Sequence, residues 1–156
     1  RIDANDLDLA IVTDCESKRA SETFRRERLL WVASNRHPTH MEEPVPLALG
    51  RPTCSWRRAA IEKLDSIGRP YRILYSSSNA GAVAAAVLSG LAVSILPESG
   101  LRTGMRVLTP ADGFPELSSC RIGLVRNAHE SSALADALAE HIVSSLDNLS
   151  DQQAAE

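Results

Sequence analysis

The sequence predicts an α/β fold built from parallel strands and the helices that connect them. Short apolar runs of strand length, such as Leu9–Val12 and Tyr71–Tyr75, alternate with segments whose apolar residues recur at helical spacing. Leu9–Val12 has the length and branching of a buried strand. One helix stops at Gly90 and the apolar run Leu91–Leu96 follows at once, an order of strand, helix and strand that indicates a βαβ unit. With 156 residues, 44% of them hydrophobic, the chain can bury a core without disulfides or metals.

Further strands are predicted from apolar runs that are bounded by turn residues. They cover Arg28–Ala33, Pro46–Leu49, Met105–Leu108 and Cys120–Arg126. The stretch from His37 to Pro46 holds three prolines and shows no periodicity, so we expect a loop or a crossing between two lobes there.

Two helices are predicted in the middle of the chain. The first spans Trp56–Ile67, with Ser55 as its N-cap and Gly68 as its stop. The second spans Ala80–Ser89 and is expected to be capped by one residue of the preceding run Ser76-Ser77-Ser78-Asn79. Because this second helix consists almost entirely of Ala, Val and Leu, it is predicted to be buried on all sides.

A last helix is predicted from one apolar stripe formed by Leu134, Leu138, Ile142 and Leu146. The capping-box-like sequence Asn127-x-x-Glu130 is expected to precede it. The residues from Asp147 to Glu156 are expected to form a frayed tail.

Charge and cysteine content limit the classes of function. The formal net charge is −3, whereas a surface that grips a phosphate backbone usually has a clustered basic face. The arginines at positions 25, 26 and 28 are interrupted by Glu27 and are interpreted as solvated surface. Three widely spaced cysteines without a CxxC pair indicate reduced thiols in a cytoplasmic protein. No apolar run approaches the roughly 20 residues of a membrane span.

Several segments resemble, in order, the effector-binding domain of LysR-type bacterial transcriptional regulators. Asp6–Val12 is similar to that family's "G-x-L-D-x-A-I" strand, and Ala85–Pro97 is similar to its "V-x-A-G-L-G-V-x-x-L-P" helix-turn-strand, with Ala92 replacing the usual Gly. Leu30–Ala33, Pro46-Leu47 and Gly68–Arg72 fall where the family has similar segments. The resemblance runs from about Asp6 to Leu146, and its strength is the ordered set.

The resemblance implies a type II periplasmic-binding-protein-like fold, in which two Rossmann-like lobes enclose an effector cleft. Lobe one would comprise residues 1–34 and 120–146, lobe two about 46–107, and residues 147–156 a tail. Lobe one would be incomplete at its N-terminus, and the family's DNA-binding winged helix-turn-helix would be absent from this chain. The full-length protein is then expected to be a cytoplasmic homodimer or homotetramer that contacts DNA only through that missing domain.

The candidate effector site is placed where polar turns follow strands. In open parallel sheets, ligands bind beyond the carboxyl ends of the strands, beside helix N-termini. Three positions meet this description, and their candidate residues are Thr13, then Thr53 with Ser55, then Ser77, Ser78 and Asn79. Helix capping is the alternative role for the last two groups. Arg57 and Arg58, which could pair with a carboxylate, make an anionic effector one candidate class.

Catalysis has no support in the sequence. It contains no GxSxG elbow, glycine-rich phosphate loop or HExxH, so we predict neither an enzyme nor a cofactor. His37-x-x-His40 bends at Pro38 and offers no helical face for a metal, so no metal site is predicted. The main alternative function is a periplasmic solute-binding protein of a transporter, and a second is an enzyme of similar lobed architecture.

Overall fold

A computed structural model of the chain describes residues 7–13, 22–127 and 132–148. Its strands are β1 (Leu9–Thr13), β2 (Glu22–Ser34), β3 (Val45–Leu49), β4 (Tyr71–Ser76), β5 (Ser94–Pro97), β6 (Met105–Leu108) and β7 (Ser119–Arg126). Its helices are α1 (Ser55–Ser66), α2 (Ala80–Leu88) and α3 (Ala133–Leu146). The chain divides into two compact units, Arg1–Glu27 with Cys120–Glu156, and Arg28–Ser119. The division falls inside β2, whereas the predicted lobe boundary follows Ser34.

The first unit is built on an antiparallel pair. β1 pairs with β7 from Leu9 opposite Arg126 to Thr13 opposite Ile122, and β7 also neighbours β2. The strand predicted at Leu9–Val12 is therefore confirmed, but its expected burial is wrong because Ile11 is 49% exposed. In the described part of the chain β1 has β7 as its sole strand partner, so it lies at a sheet edge with one side open.

Helix α3 covers the core of the first unit with a face that shares only Ile142 with the predicted stripe. Ala139 is fully buried against Phe24 and Leu124, whereas Leu134 is 80% exposed. The predicted stripe steps by four residues, and at 3.6 residues per turn each step rotates the side chain by about 40°. Its two ends therefore cannot face the same core.

The predicted start of α3 is also wrong. Ser132 is the N-cap, and its hydroxyl accepts a hydrogen bond from the Ala135 amide at 3.1 Å. Asn127 instead extends β7, donating from its amide to the Asp8 carbonyl at 2.8 Å, and Glu130 lies outside the described residues. Beyond the helix, the side-chain amide of Asn148 hydrogen-bonds both the N–H and the C=O of Arg26.

The predicted solvated arginine cluster is part of a strand, since β2 begins six residues before the predicted Arg28. Arg25 pairs with the buried carboxylate of Glu27 and donates to the Leu146 carbonyl at the end of α3. A buried carboxylate needs such a partner, because an unpaired charge is costly to desolvate.

The second unit contains an antiparallel and a parallel part. The C-terminal half of β2 lies between β5 and β6 and pairs antiparallel with both. β3 and β4 pair in parallel from Val45 opposite Tyr71 to Leu49 opposite Ser76, with α1 as the connection. These strands were predicted to within one residue at each end. The predicted βαβ unit was the next one along the chain, around α2, and its two strands do not pair with each other: β4 and Val93 each pair in parallel with β3.

The strand predicted at Leu91–Leu96 is divided between two pairings. Val93 adds to β3 in parallel, with its N–H donating to the Pro46 carbonyl at 2.8 Å and its C=O accepting from Ala48 at 2.9 Å. β5 begins only at Ser94 and pairs antiparallel with β2. The apolar run therefore passes from one partner to the next, and a pattern of hydrophobicity alone cannot show such a change.

Helix α2 is buried on one face only, contrary to the prediction. Its face with Val83, Ala84 and Val87 is buried, while Ala80 and Ala85 are exposed. Alanine exposes so little apolar surface that a helix without any charged residue can still tolerate water on one side.

None of the helices in the described ranges combines the length and apolarity needed to cross a bilayer.

The core of the second unit is organised around Trp31 and Phe114. Their ring centroids lie 5.2 Å apart, and Trp31 Nε1 donates to the Pro115 carbonyl at 2.8 Å. The Arg69 guanidinium carbon lies 4.1 Å from the centroid of the Phe114 ring. The Arg69 guanidinium also donates to the carbonyls of His40, Asp112 and Gly113. This arginine thereby joins the end of α1 to two loops.

Candidate functional site

The carboxyl ends of β3 and β4 lie side by side, because the two strands are parallel neighbours. The Ser77 amide donates to the Leu49 carbonyl at 3.1 Å and so continues their pairing by one step. α1 begins a few residues after β3, and α2 begins a few residues after β4. The structure therefore brings two of the three predicted turns, at Thr53–Ser55 and Ser77–Asn79, to one edge of the β3–β4 pair.

Asn79 is the N-cap of α2. Its Oδ1 accepts from the amides of Gly81 at 2.9 Å and Ala82 at 3.2 Å, so the capping role expected of one residue in this turn belongs to it. The oxygen is therefore already engaged. The side-chain nitrogen Nδ2 of Asn79 makes no hydrogen bond to any residue that the structure describes, and a ligand contact by it remains a prediction.

Replacing Asn79 by alanine should lower the free energy of unfolding by about 1 kcal/mol, because two amides of α2 lose their acceptor. Asn79→Asp should cost much less, since a carboxylate caps equally well. Urea denaturation of the three proteins measures both effects. Equal losses for the two variants would contradict the capping role.

Ser77 and Ser78 differ in the hydrogen bonds that their hydroxyls make. Ser77 Oγ accepts from the Asn79 amide at 3.0 Å, which leaves its own hydroxyl proton available to a ligand. Ser78 is exposed, and its hydroxyl makes no hydrogen bond within the described part of the chain. Both are suited to contact a polar ligand, and their role there remains a prediction.

Ser55 is not the N-cap of α1, contrary to the sequence prediction. The helix begins one residue earlier than expected, so that Cys54 takes the cap position and Ser55 is the first helical residue. No side-chain cap bond is made at this end of α1. Thr53 is exposed just before it. Both hydroxyls lie at the N-terminus of α1, where the helix dipole is positive, which is a favourable place for a polar ligand.

Arg57 connects the first turn of α1 to both strand ends. Its Nη1 donates to the Gly50 carbonyl at 3.1 Å and to Ser76 Oγ at 2.9 Å. Sequence reasoning gave no sign of the contact with Ser76, because the two residues are 19 positions apart. Trp56, by contrast, packs against the core of the unit.

Thr13 lies in the other compact unit. It is the last residue of β1, opposite Ile122 of β7. Because this pair is antiparallel, the argument from the carboxyl ends of parallel strands does not apply to Thr13 as it does to the turns after β3 and β4. Its contact with an effector remains a prediction.

The remaining candidates for chemistry belong to the packing of the fold. Among the described residues, no group of three or more His, Cys, Asp or Glu side chains could hold a metal ion. His37 packs against Gly90, and His40 is buried, which lowers its pKa. Cys120 is buried and Cys54 is partly exposed, neither forms a disulfide with a described residue, and Cys15 lies outside the described residues.

A family model and a known transcriptional regulator match most of this chain. The chain matches the family model described as LysR substrate binding domain over residues 1–147. It is 31% identical over 137 residues to the HTH-type transcriptional regulator DgdR of Burkholderia cepacia, and the match covers 87% of this chain and 46% of that regulator.

Solved structures show the same fold at low sequence identity. The CcmR regulatory domain of Synechocystis PCC6803, in complex with 2-PG, is similar with a TM-score of 0.66 and 18% identity, over 96% of this chain and 78% of that one. Full-length HypT of Salmonella typhimurium, a hypochlorite-specific LysR-type regulator, has a TM-score of 0.72 and 16% identity, over 92% and 54% of the two chains.

The fold is therefore the mixed α/β, type II periplasmic-binding-protein-like fold that the sequence predicted. The chain belongs to the LysR substrate-binding domain family. It spans about half the length of the regulator it matches. Family membership favours the regulator interpretation over a transporter's solute-binding protein, and the relatives are transcriptional regulators rather than enzymes.

Proposed function

We propose that this chain is the ligand-sensing domain of a bacterial LysR-type transcriptional regulator. A small-molecule effector binds to it and thereby controls DNA binding and transcription by the full-length protein. The observation that carries this proposal is the family match over residues 1–147, supported by the relationship to DgdR. The CcmR regulatory domain in complex with 2-PG supports the idea that a domain of this fold holds a small molecule.

Within this chain, we propose that the effector contacts the edge formed by the carboxyl ends of β3 and β4. Hydroxyls are supplied there by Thr53, Ser55, Ser77 and Ser78. Asn79 supplies its side-chain amide nitrogen. Hydroxyls and amides give directional hydrogen bonds without imposing a charge, which suits recognition of a polar metabolite.

The proposal extends to the whole protein. DNA contact would be made by an N-terminal winged helix-turn-helix, and the working form would be a cytoplasmic homodimer or homotetramer. Effector binding alters DNA occupancy if the domain has two conformational states that differ in their affinity for the effector and in the DNA binding of the full-length protein. The protein would need no cofactor and no membrane partner for this task.

A thermal-shift screen of metabolites against the 156-residue chain tests the proposal. A true effector at about 100-fold above its Kd stabilises the folded state by roughly 2.7 kcal/mol. The double variant Ser77→Ala/Ser78→Ala should lose most of that stabilisation. Ser89→Ala, at the opposite end of α2, is the matched control and should keep it. An effector that stabilises all three proteins equally would contradict the proposed site.

A further inference from the structure

Arg57 places a cation at the edge formed by the carboxyl ends of β3 and β4. Its side chain is half-buried and bridges Gly50, which follows β3, and Ser76, which ends β4. Ser77, whose hydroxyl proton is available to a ligand, follows Ser76 directly. The guanidinium therefore lies at the same edge as the proposed effector contacts.

No described carboxylate pairs with the charge of Arg57. Within the described residues it forms no ion pair, whereas the next residue, Arg58, pairs with Glu62 at 3.9 Å. No acidic residue lies in the first turn of α1, where the helix dipole is positive and a cation is unfavourable. A half-buried cation beside a positive helix end is a local excess of positive charge that an anion would relieve.

The hydrogen bonds of Arg57 leave one side of the guanidinium open. The two bonds to protein acceptors both use Nη1. Nε and Nη2 make no bond to any described residue, and these two nitrogens form the side of the group that can hold a carboxylate with two parallel hydrogen bonds. The bonds through Nη1 fix the plane of the guanidinium, so little rotamer freedom remains to be lost on binding.

We infer that Arg57 makes this site selective for an effector that carries a carboxylate or a comparable oxyanion. The inference rests on the proposed function for the existence of an effector site, and it adds the chemical class. Arg57 would bind the anionic group through Nε and Nη2, while the hydroxyls of Ser77 and Ser78 would bind other polar atoms of the same molecule.

Matched pairs of acids and amides test the inference. Benzoate with benzamide, and succinate with succinamide, are titrated into the isotope-labelled 156-residue chain at constant ionic strength. Their effect is followed at the Arg57 Nε–H and Ser77 amide resonances. We expect at least one carboxylate, and neither amide, to shift both resonances. Arg57→Gln should weaken that carboxylate roughly tenfold to a hundredfold, as loss of a charged hydrogen-bond partner does.

Two variants separate ligand binding from a tethering role. Arg58→Gln removes an exposed, ion-paired neighbour and should leave carboxylate affinity within about twofold. Ser76→Ala removes one tether of Arg57 and keeps the guanidinium, so carboxylate binding should persist. If Ser76→Ala weakens binding as much as Arg57→Gln, or if no carboxylate shifts the resonances, the inference fails. If an amide shifts the Ser77 resonance while no carboxylate does, the proposed effector site stands and only its selectivity for an anion is contradicted. If no probe shifts that resonance and the metabolite screen is also negative, the proposed site and the inference about Arg57 both fail.

Discussion

Phe114→Ala should lower the free energy of unfolding by about 3–5 kcal/mol, as truncation of a fully buried aromatic side chain does. Phe114 is fully buried, and its ring contacts both the Trp31 ring and the Arg69 guanidinium. The substitution opens a cavity next to Trp31 and leaves a desolvated guanidinium without its aromatic partner. Burial already lowers the pKa of Arg69, so loss of the contact with the Phe114 ring destabilises its charged form further.

Urea denaturation followed by tryptophan fluorescence measures this loss, because both tryptophans lie in the same compact unit as Phe114. Leu91→Ala is the control in that unit, since Leu91 is 59% exposed and should change stability by less than about 0.5 kcal/mol. A Phe114→Ala protein as stable as the control would contradict the packing described around Trp31.

Gly90→Ala should cost about 2–5 kcal/mol, from two separate causes. Gly90 has φ +72°, a conformation that costs an L-residue about 1–2 kcal/mol. A Cβ there would also stand 2.3 Å from His37 Cγ, and overpacking of that kind typically adds about 1–3 kcal/mol. The backbone cannot easily shift, because the Gly90 carbonyl accepts from Thr39 Oγ1 at 2.7 Å and its N–H donates to Val87.

Gly68→Ala separates the two causes. Gly68 has φ +66° at the end of α1 with open space around the position of a Cβ, so its substitution measures the backbone cost alone. A double-mutant cycle of Gly90→Ala with His37→Gly should recover the packing part of the loss. Equal losses at Gly68 and Gly90 would show that His37 does not occupy the space over Gly90.

The glycine-terminated helices and the short apolar strands were predictable because their signals are local. Gly68 and Gly90 both adopt positive φ directly after α1 and α2, as a C-terminal glycine does. The parallel direction of β4 and Val93 followed from the order of strand and helix around α2, but the position of β3 between them did not. Local sequence fixes where such elements begin and end, and the connection fixes their direction.

Features that depend on distant partners were not predictable. The face of α3 that is buried is decided by Phe24 and Leu124, far away in sequence. The passage from Val93 to β5 depends on β3 and β2 each offering an edge at that point. The early start of β2 was missed because its N-terminal residues are charged, and Glu27 is buried through its pairing with Arg25.

For the candidate site, the sequence indicated the polar turns but not how their groups are used. Capping could have been assigned to any of several residues, and the structure assigns it to Asn79 and removes it from Ser55. The contact of Arg57 with Ser76 needs the parallel pairing of β3 and β4 to bring the two residues together. Only three-dimensional geometry could distinguish Arg57 from the ion-paired Arg58 beside it.

The most direct test of the central claim is to map an effector onto this chain by its amide resonances. An effector from the metabolite screen should produce its largest saturable shifts at Thr53, Ser55, Ser77 and Ser78, and Ser77→Ala/Ser78→Ala should abolish them. Saturable binding that leaves these four residues unchanged would contradict an effector site at the carboxyl ends of β3 and β4.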